Sequence, residues 1–280
     1  MKSVFLGLTL IGISGMSLES TAEQPKSKPD TGNSSIQKQI EAWNKESQRL
    51  TDAIEKSPQA VDLYSRRGDL RFFLGEFEDS VADYEQMVKL DPSLTKSHWR
   101  RGIALFYAGS YKEAAAQFDS YHSFDNVDRE NGIWRYFSHY KAFGKEQARK
   151  ELLKYEKDDR EPFPSVYKLF AGEMTGEQIM TGIDSAKLPD GEREKRLFYA
   201  HLYIGLNHAL EGDREKAKSH LNAMLENTWG PEAGYGPHYM WQVGRVHLAL
   251  LDQNDREKDQ ESRPDGREGN GTSSSKSISE

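Results

Sequence analysis

Two stretches of the chain align without a gap. With "RRGDLRFFLGEFEDSVADYEQMVKLDP" set above "RRGIALFYAGSYKEAAAQFDSYHSFDN", Gly68 meets Gly102, Gly75 meets Gly109, Phe77 meets Tyr111 and Tyr84 meets Phe118, each pair 34 residues apart. A period of that length accommodates one helix–turn–helix unit. Glycine inside a helix costs about 1 kcal/mol relative to alanine, so its return in register calls for a packing reason. A small residue lets two antiparallel helices touch, a second glycine ends the first helix, and alanine plus an aromatic fill the space between. The same logic disposes of the adhesion tripeptide Arg67-Gly68-Asp69, which falls inside a helix and whose acid is replaced by Ile103 in the next unit.

The period is that of tetratricopeptide repeats. The expected fold class is all-α: a tetratricopeptide-type α-solenoid of antiparallel helix pairs, with a lead-in helix at the N-terminus and a capping helix at the C-terminus. Clear repeats fall at about 61–94, 95–128 and 198–231 within a helical domain spanning 35–251. The third places Gly205 mid-helix, Gly212 at the turn, Asp213 as N-cap, then Ala217 and Leu221. Degenerate pairs lie between. One turns at Gly144, carries Ala148 and Leu152 on its second helix, and has Tyr136 where the small residue belongs. Another closes at Gly172 and restarts with a capping box from Thr175 to Gln178. Pro92 stops the second helix of the first repeat. Upstream, Ile36, Ile40, Trp43, Leu50 and Ile54 form one apolar helical stripe, and Tyr239 to Leu251 form a last helix that covers the final open face. No segment sustains period-two alternation.

Both ends read differently. Residues 1–22, with Lys2 before an uncharged run and Ser20-Thr21-Ala22 after it, have the layout of a secretory signal peptide cleaved near Ala22. Its apolar core is short of the ~20 residues that span a bilayer. The expected localisation is therefore export, periplasmic or secreted, with no transmembrane span. Residues 23–34 read as a flexible linker. The tail 252–280 has one aliphatic residue, Ile278, and is expected to be disordered. The formal net charge is -7 with no basic block, which argues against nucleic acid as a partner, and the absence of cysteine removes disulfides, thiolate chemistry and lipid modification of cysteine.

The order of elements resembles the NlpI family of bacterial periplasmic lipoproteins. The matching stretches are "HWRRGIALFYAGSYKEAAAQF", "IWRYFSHYKAFGKEQARKEL", "VYKLFAGEMTGEQIM" and "FYAHLYIGLNHALEGDREKAKSHL", within about 36–251. The shortened pair around Gly172 and Glu177-Gln178 is the most telling. The resemblance implies a non-enzymatic adaptor in the cell envelope that docks cell-wall hydrolases and a protease. That family is lipid-anchored through a cysteine; this chain has none.

A repeat array works through the groove lined by its first helices, which holds a peptide or a helix of a partner protein. By register the groove comprises Ser65, Arg66, Asp69 and Phe73, then Lys96, Trp99, Arg100, Ile103 and Tyr107, and later Tyr199, Leu202 and Leu206. Trp99 and Arg100 are the residue types that most often carry interface energy. No cofactor, catalytic residue or metal ligand is assigned. The competing reading is a metal-binding protein or enzyme near His201 and His208, seven residues apart, with His220 on the next helix and the segment 228–239, "TWGPEAGYGPHY", beside them. Asp158-Asp159 reads as a solvated turn. The stripe Ile36/Ile40/Trp43 suggests a homodimer through the N-terminal helix.

Overall fold

The computed structural model describes residues 31–157 and 159–261. The expected signal peptide, most of the linker, Asp158 and the tail beyond 261 lie outside the described residues. Two compact units divide at Gln39 and Ile40; the first is described only through the opening turns of α1, and every other element belongs to the second.

Every regular element among the described residues is helical. The order is α1 (Thr31–Lys56), α2 (Val61–Leu74), α3 (Phe77–Leu90), a 3-10 turn (Pro92–Thr95), α4 (Trp99–Tyr107), α5 (Tyr111–His122), α6 (Arg129–Phe143), α7 (Lys145–Lys150), α8 (Phe163–Ala171), α9 (Gly176–Ser185), α10 (Asp190–Glu211), α11 (Arg214–Glu226), α12 (Trp229–Glu232) and α13 (Tyr235–Glu261). Neighbours in sequence pack as pairs: α2 on α3, α4 on α5 and α10 on α11. This all-helical arrangement is compatible with an α-solenoid. No described helix is long and apolar enough to cross a membrane.

Local chemistry sets the ends. Gly75 adopts a left-handed conformation with φ of 86° and its backbone N–H closes onto α2. The Thr175 hydroxyl accepts from the Gln178 backbone while the Gln178 side chain accepts from the Thr175 backbone, so α9 begins with a complete capping box. Asp213 caps α11.

Glycines mark where the pairs touch. A Cβ on Gly68 would sit 2.7 Å from the Tyr84 ring, and one on Gly102 would sit 2.6 Å from the Phe118 ring. Both rings are fully buried, so neither glycine admits a side chain without moving the opposite helix. In α6 the close approach falls at Gly132, where a Cβ would collide with the Tyr155 side chain. Tyr136, at the expected small position, is instead buried against Phe137 and Phe170.

A second regularity runs across the pairs. Arg67 donates to Thr51 behind it and to Asp83 ahead. Arg101 donates to Glu85 behind and to Gln117 ahead. Arg135 donates to Asp119 behind and to the backbone carbonyl of Glu151 ahead. The three arginines stand 34 residues apart, as do both sets of partners. Each guanidinium thus joins the preceding helix to its own pair, and its planar fork suits the two-sided task.

Four expectations need correction. The helix expected to end at Leu251 runs on to Glu261. Lys218 pairs with Asp252 and Asp255 while Arg214 binds Asp255, so α11 holds the start of the supposed tail in place. The linker expected to reach 34 is already helical from Thr31. The second helix after Gly144 is only α7, which stops at Lys150 before Leu152. Asp159 is not solvated: its side chain is 6% exposed, and it accepts from the Arg129 backbone at the start of α6.

A candidate binding pocket beside an occupied groove

α13 lies against the residues expected to line the groove. Tyr239, fully buried, stacks on Phe72 with ring centroids 5.3 Å apart and meets the edge of Trp99 at 5.0 Å. Its hydroxyl is 3.3 Å from that of Tyr84. One turn earlier, the Tyr235 hydroxyl donates to Asp69 at 2.6 Å. Further along, Arg245 donates to the Phe73 carbonyl and covers the Trp43 ring, and His247 bonds the Tyr107 hydroxyl at 3.0 Å. Gly244 brings α13 against Met224 and Leu202.

The residues expected to face a partner are therefore largely spent on the protein itself. Asp69 is bound by Arg100, which also donates to Ser65. Phe73, Ile103, Tyr199, Leu202 and Leu206 are buried, and Tyr107 packs against α13. Arg66 remains exposed and pairs with Glu46; Lys96 is exposed in the turn before α4. The correction has a simple cause: an apolar groove gains more from the chain's own amphipathic helix than from water. Trp43, expected in a dimer stripe, contacts Phe73 in the same way.

Part of the groove stays open. A cavity of about 430 Å³ lies where α4, α6, α10, α12 and the start of α13 meet. Its aromatic walls are Trp99, Trp134, Tyr199 and Trp229, with Phe118 and Tyr121 at the back. Its floor is polar: Asp128, Glu130, Asn131 and Arg160, with Lys195 at the edge. The segment 228–239 reaches it through Trp229, packed on Phe198 and Tyr199, and through Gly236 and Pro237. A volume of this size with few convergent polar groups is typical of ligand sites.

Three carboxylates share one guanidinium on the floor. Arg160 pairs with Asp128 at 3.5 Å, with Asp159 at 3.3 Å, and with Glu130. Glu130 also accepts from the buried Tyr203 hydroxyl. Burial pushes the Glu130 carboxyl up to about 7, and neighbouring Asp128 adds to the shift against the pull of Arg160. Burial likewise raises Asp128, with Asp159 and Asp125 contributing. A carboxyl poised near neutrality in a cavity is a mark of a working site.

This has a measurable consequence. A raised carboxyl pKa means the folded protein holds its proton more tightly, so the favourable contribution is complete below about pH 4.5 and disappears as pH rises through about 7. The charged form then costs about 3 kcal/mol at pH 8. Glu130→Gln is expected to raise stability in urea by up to about 3 kcal/mol at pH 8 and to leave it unchanged at pH 4. Equal effects at both pH values would show that Glu130 is solvated.

The histidines form a separate cluster. His201 Nδ1 is 3.0 Å from His220 Nδ1, and His208 stacks on His220 at 5.8 Å. Burial, then the two neighbouring imidazoles, push His220 down to about 4. Among the described residues no three His, Asp or Glu side chains converge on a metal position.

The comparisons with known proteins reach little of this chain. No family model matches it. A 48-residue stretch is 40% identical to Protein SGT1 homolog of Oryza sativa subsp. japonica, covering 17% of this chain and 13% of that protein. So short a likeness assigns no family.

Proposed function

We propose that the chain is an interaction adaptor of the tetratricopeptide type. In this reading it works in the bacterial cell envelope and, like the NlpI-type proteins it resembles, brings cell-wall hydrolases or a protease to their place of action. The 34-residue register supports the repeat reading: glycines pressed by Tyr84 and Phe118 recur with it, and so do the arginines that join successive pairs. One observation carries the functional reading. α13 covers much of the groove but leaves an aromatic cavity of about 430 Å³ open beside Trp99, so a partner is recognised by a group inserted there and not by a strand laid along the groove.

Affinity capture from native envelope extract tests it, with the wild type compared with the double variant Trp99→Ala, Trp229→Ala. Both side chains are only partly buried, so helical content by circular dichroism should be retained. The expected result is at least a tenfold loss of the captured partner. Undiminished capture by a folded variant would sink the assignment.

A further inference from the structure

The pocket's polar groups point to one kind of ligand. Asp128 and Glu130 present carboxylate oxygens. Asn131 is 3% exposed; its amide nitrogen donates to the Phe118 carbonyl, which fixes the orientation of the side chain. Its oxygen, Oδ1, then has no hydrogen-bond partner among the described residues. The floor therefore offers one acceptor without a donor, the Asn131 oxygen, beside carboxylates that are bonded by Arg160 and Tyr203 but outnumber the one guanidinium they share. The indole nitrogen of Trp134 is also unpartnered, a single weak donor against them. Neither cation at the site is free to answer: Arg160 is shared by three carboxylates, and Lys195 pairs with Glu192 at 2.6 Å.

The walls agree with the floor. Trp99, Trp134, Tyr199 and Trp229 bring four electron-rich rings to one cavity, and aromatic rings attract a cation seated over their faces. The protein already uses this interaction beside the pocket, where the Arg160 guanidinium lies 4.3 Å from the Phe163 ring centroid. An anion would face two carboxylates and the unpartnered Asn131 oxygen, and a neutral apolar group would leave that oxygen unsatisfied, which is costly for a buried polar atom.

We infer that this pocket takes an organic cation, an alkylammonium or guanidinium group held between the aromatic walls and the acceptors of Asp128, Glu130 and Asn131. The inference deepens the adaptor reading and rests on it for the pocket's being the point of recognition. The group could be a small amine or a lysine or arginine side chain of a partner protein; the chemistry at the site is the same. A bound cation supplies positive charge beside the carboxylates and so favours the ionised form of Glu130.

Calorimetry and tryptophan fluorescence at pH 7.5 test this with butylammonium, butylguanidinium and Nα-acetyl-arginine methylamide, against butanol and butyrate. The cations are expected to bind at least tenfold more tightly than either control, and Glu130→Gln to weaken them at least tenfold. Because that variant is expected to be the more stable protein at this pH, misfolding would not explain the loss. Preference for the acetylated arginine identifies a partner's basic side chain, and preference for butylammonium identifies a free amine; either supports the cation. Equal binding of butanol and butylammonium, or no cation binding at all, overturns it. If no cation binds while Trp99→Ala, Trp229→Ala still loses its captured partner, the cation assignment falls and the adaptor reading stands. If the cations bind and capture is undiminished, the adaptor reading falls alone.

Discussion

Tyr239→Ala should cost about 3–5 kcal/mol of stability, the largest effect of any single truncation in the groove. The ring is fully buried and touches Phe72, Phe73 and Trp99, and its hydroxyl approaches that of Tyr84. Removing it deletes the peg that seats α13, leaving a cavity that rigid aromatic neighbours cannot close. Urea denaturation checks the magnitude, and hydrogen exchange checks the location. Protection along 235–251 should fall well before that of α2 and α3, because those two helices retain their own pairing. A loss below about 0.5 kcal/mol, the range of an ordinary surface substitution, would mean that α13 does not rest on α2 and α4.

Asp83→Ala should be nearly as severe, at about 3–5 kcal/mol, for an electrostatic reason. Asp83 is 2% exposed and receives Arg67 at 2.7 Å and Arg71 at 2.8 Å, themselves 11% and 19% exposed. Its removal leaves two guanidinium groups largely out of water with one carboxylate fewer between them. The penalty is that of unpaired buried charge, which is larger than the net worth of the original ion pairs. Double-mutant analysis separates the two: Arg67→Met in the Asp83→Ala background should recover part of the loss, whereas Arg66→Met, on an exposed side chain, should recover none. Recovery by both would show a general charge effect with no specific clasp.

How much of this was visible in the sequence differs from residue to residue. The glycines at 68 and 102 announced helix contacts because the defect they impose is local and repeats in register. The arginine clasps were half visible. Arg67 and Arg101 recur openly, but their partners are Thr51 and Asp83 in one unit and Glu85 and Gln117 in the next. Hydrogen-bonding capacity is preserved there while residue identity is not, so alignment by identity passes over it. The pocket left still less trace. Its floor comes from the turn before α6, from α6 itself and from the segment between α7 and α8, while its walls come from α4, α6, α10 and α12. Asp159 resembled a solvated acid because nothing in its neighbourhood names the Arg129 backbone that it caps.

The amino-acid sequence by itself determined the paired helices α2–α3, α4–α5 and α10–α11, the glycine turns at 75, 109 and 212, and the capping box that starts α9. Those features depend on spacing, caps and glycines whose partners lie within one repeat. Only the tertiary structure decided that α13 would cover much of the groove from within and that the aromatic cavity beside Trp99 would stay open. Asp69 meets Tyr235, and Phe73 meets Arg245, across most of the chain. An apolar helix face can be covered by a partner or by the chain's own terminus, and its pattern of residues is the same in both cases. The choice depends on which surface wins the competition to leave water, and that is settled only when the whole chain is folded.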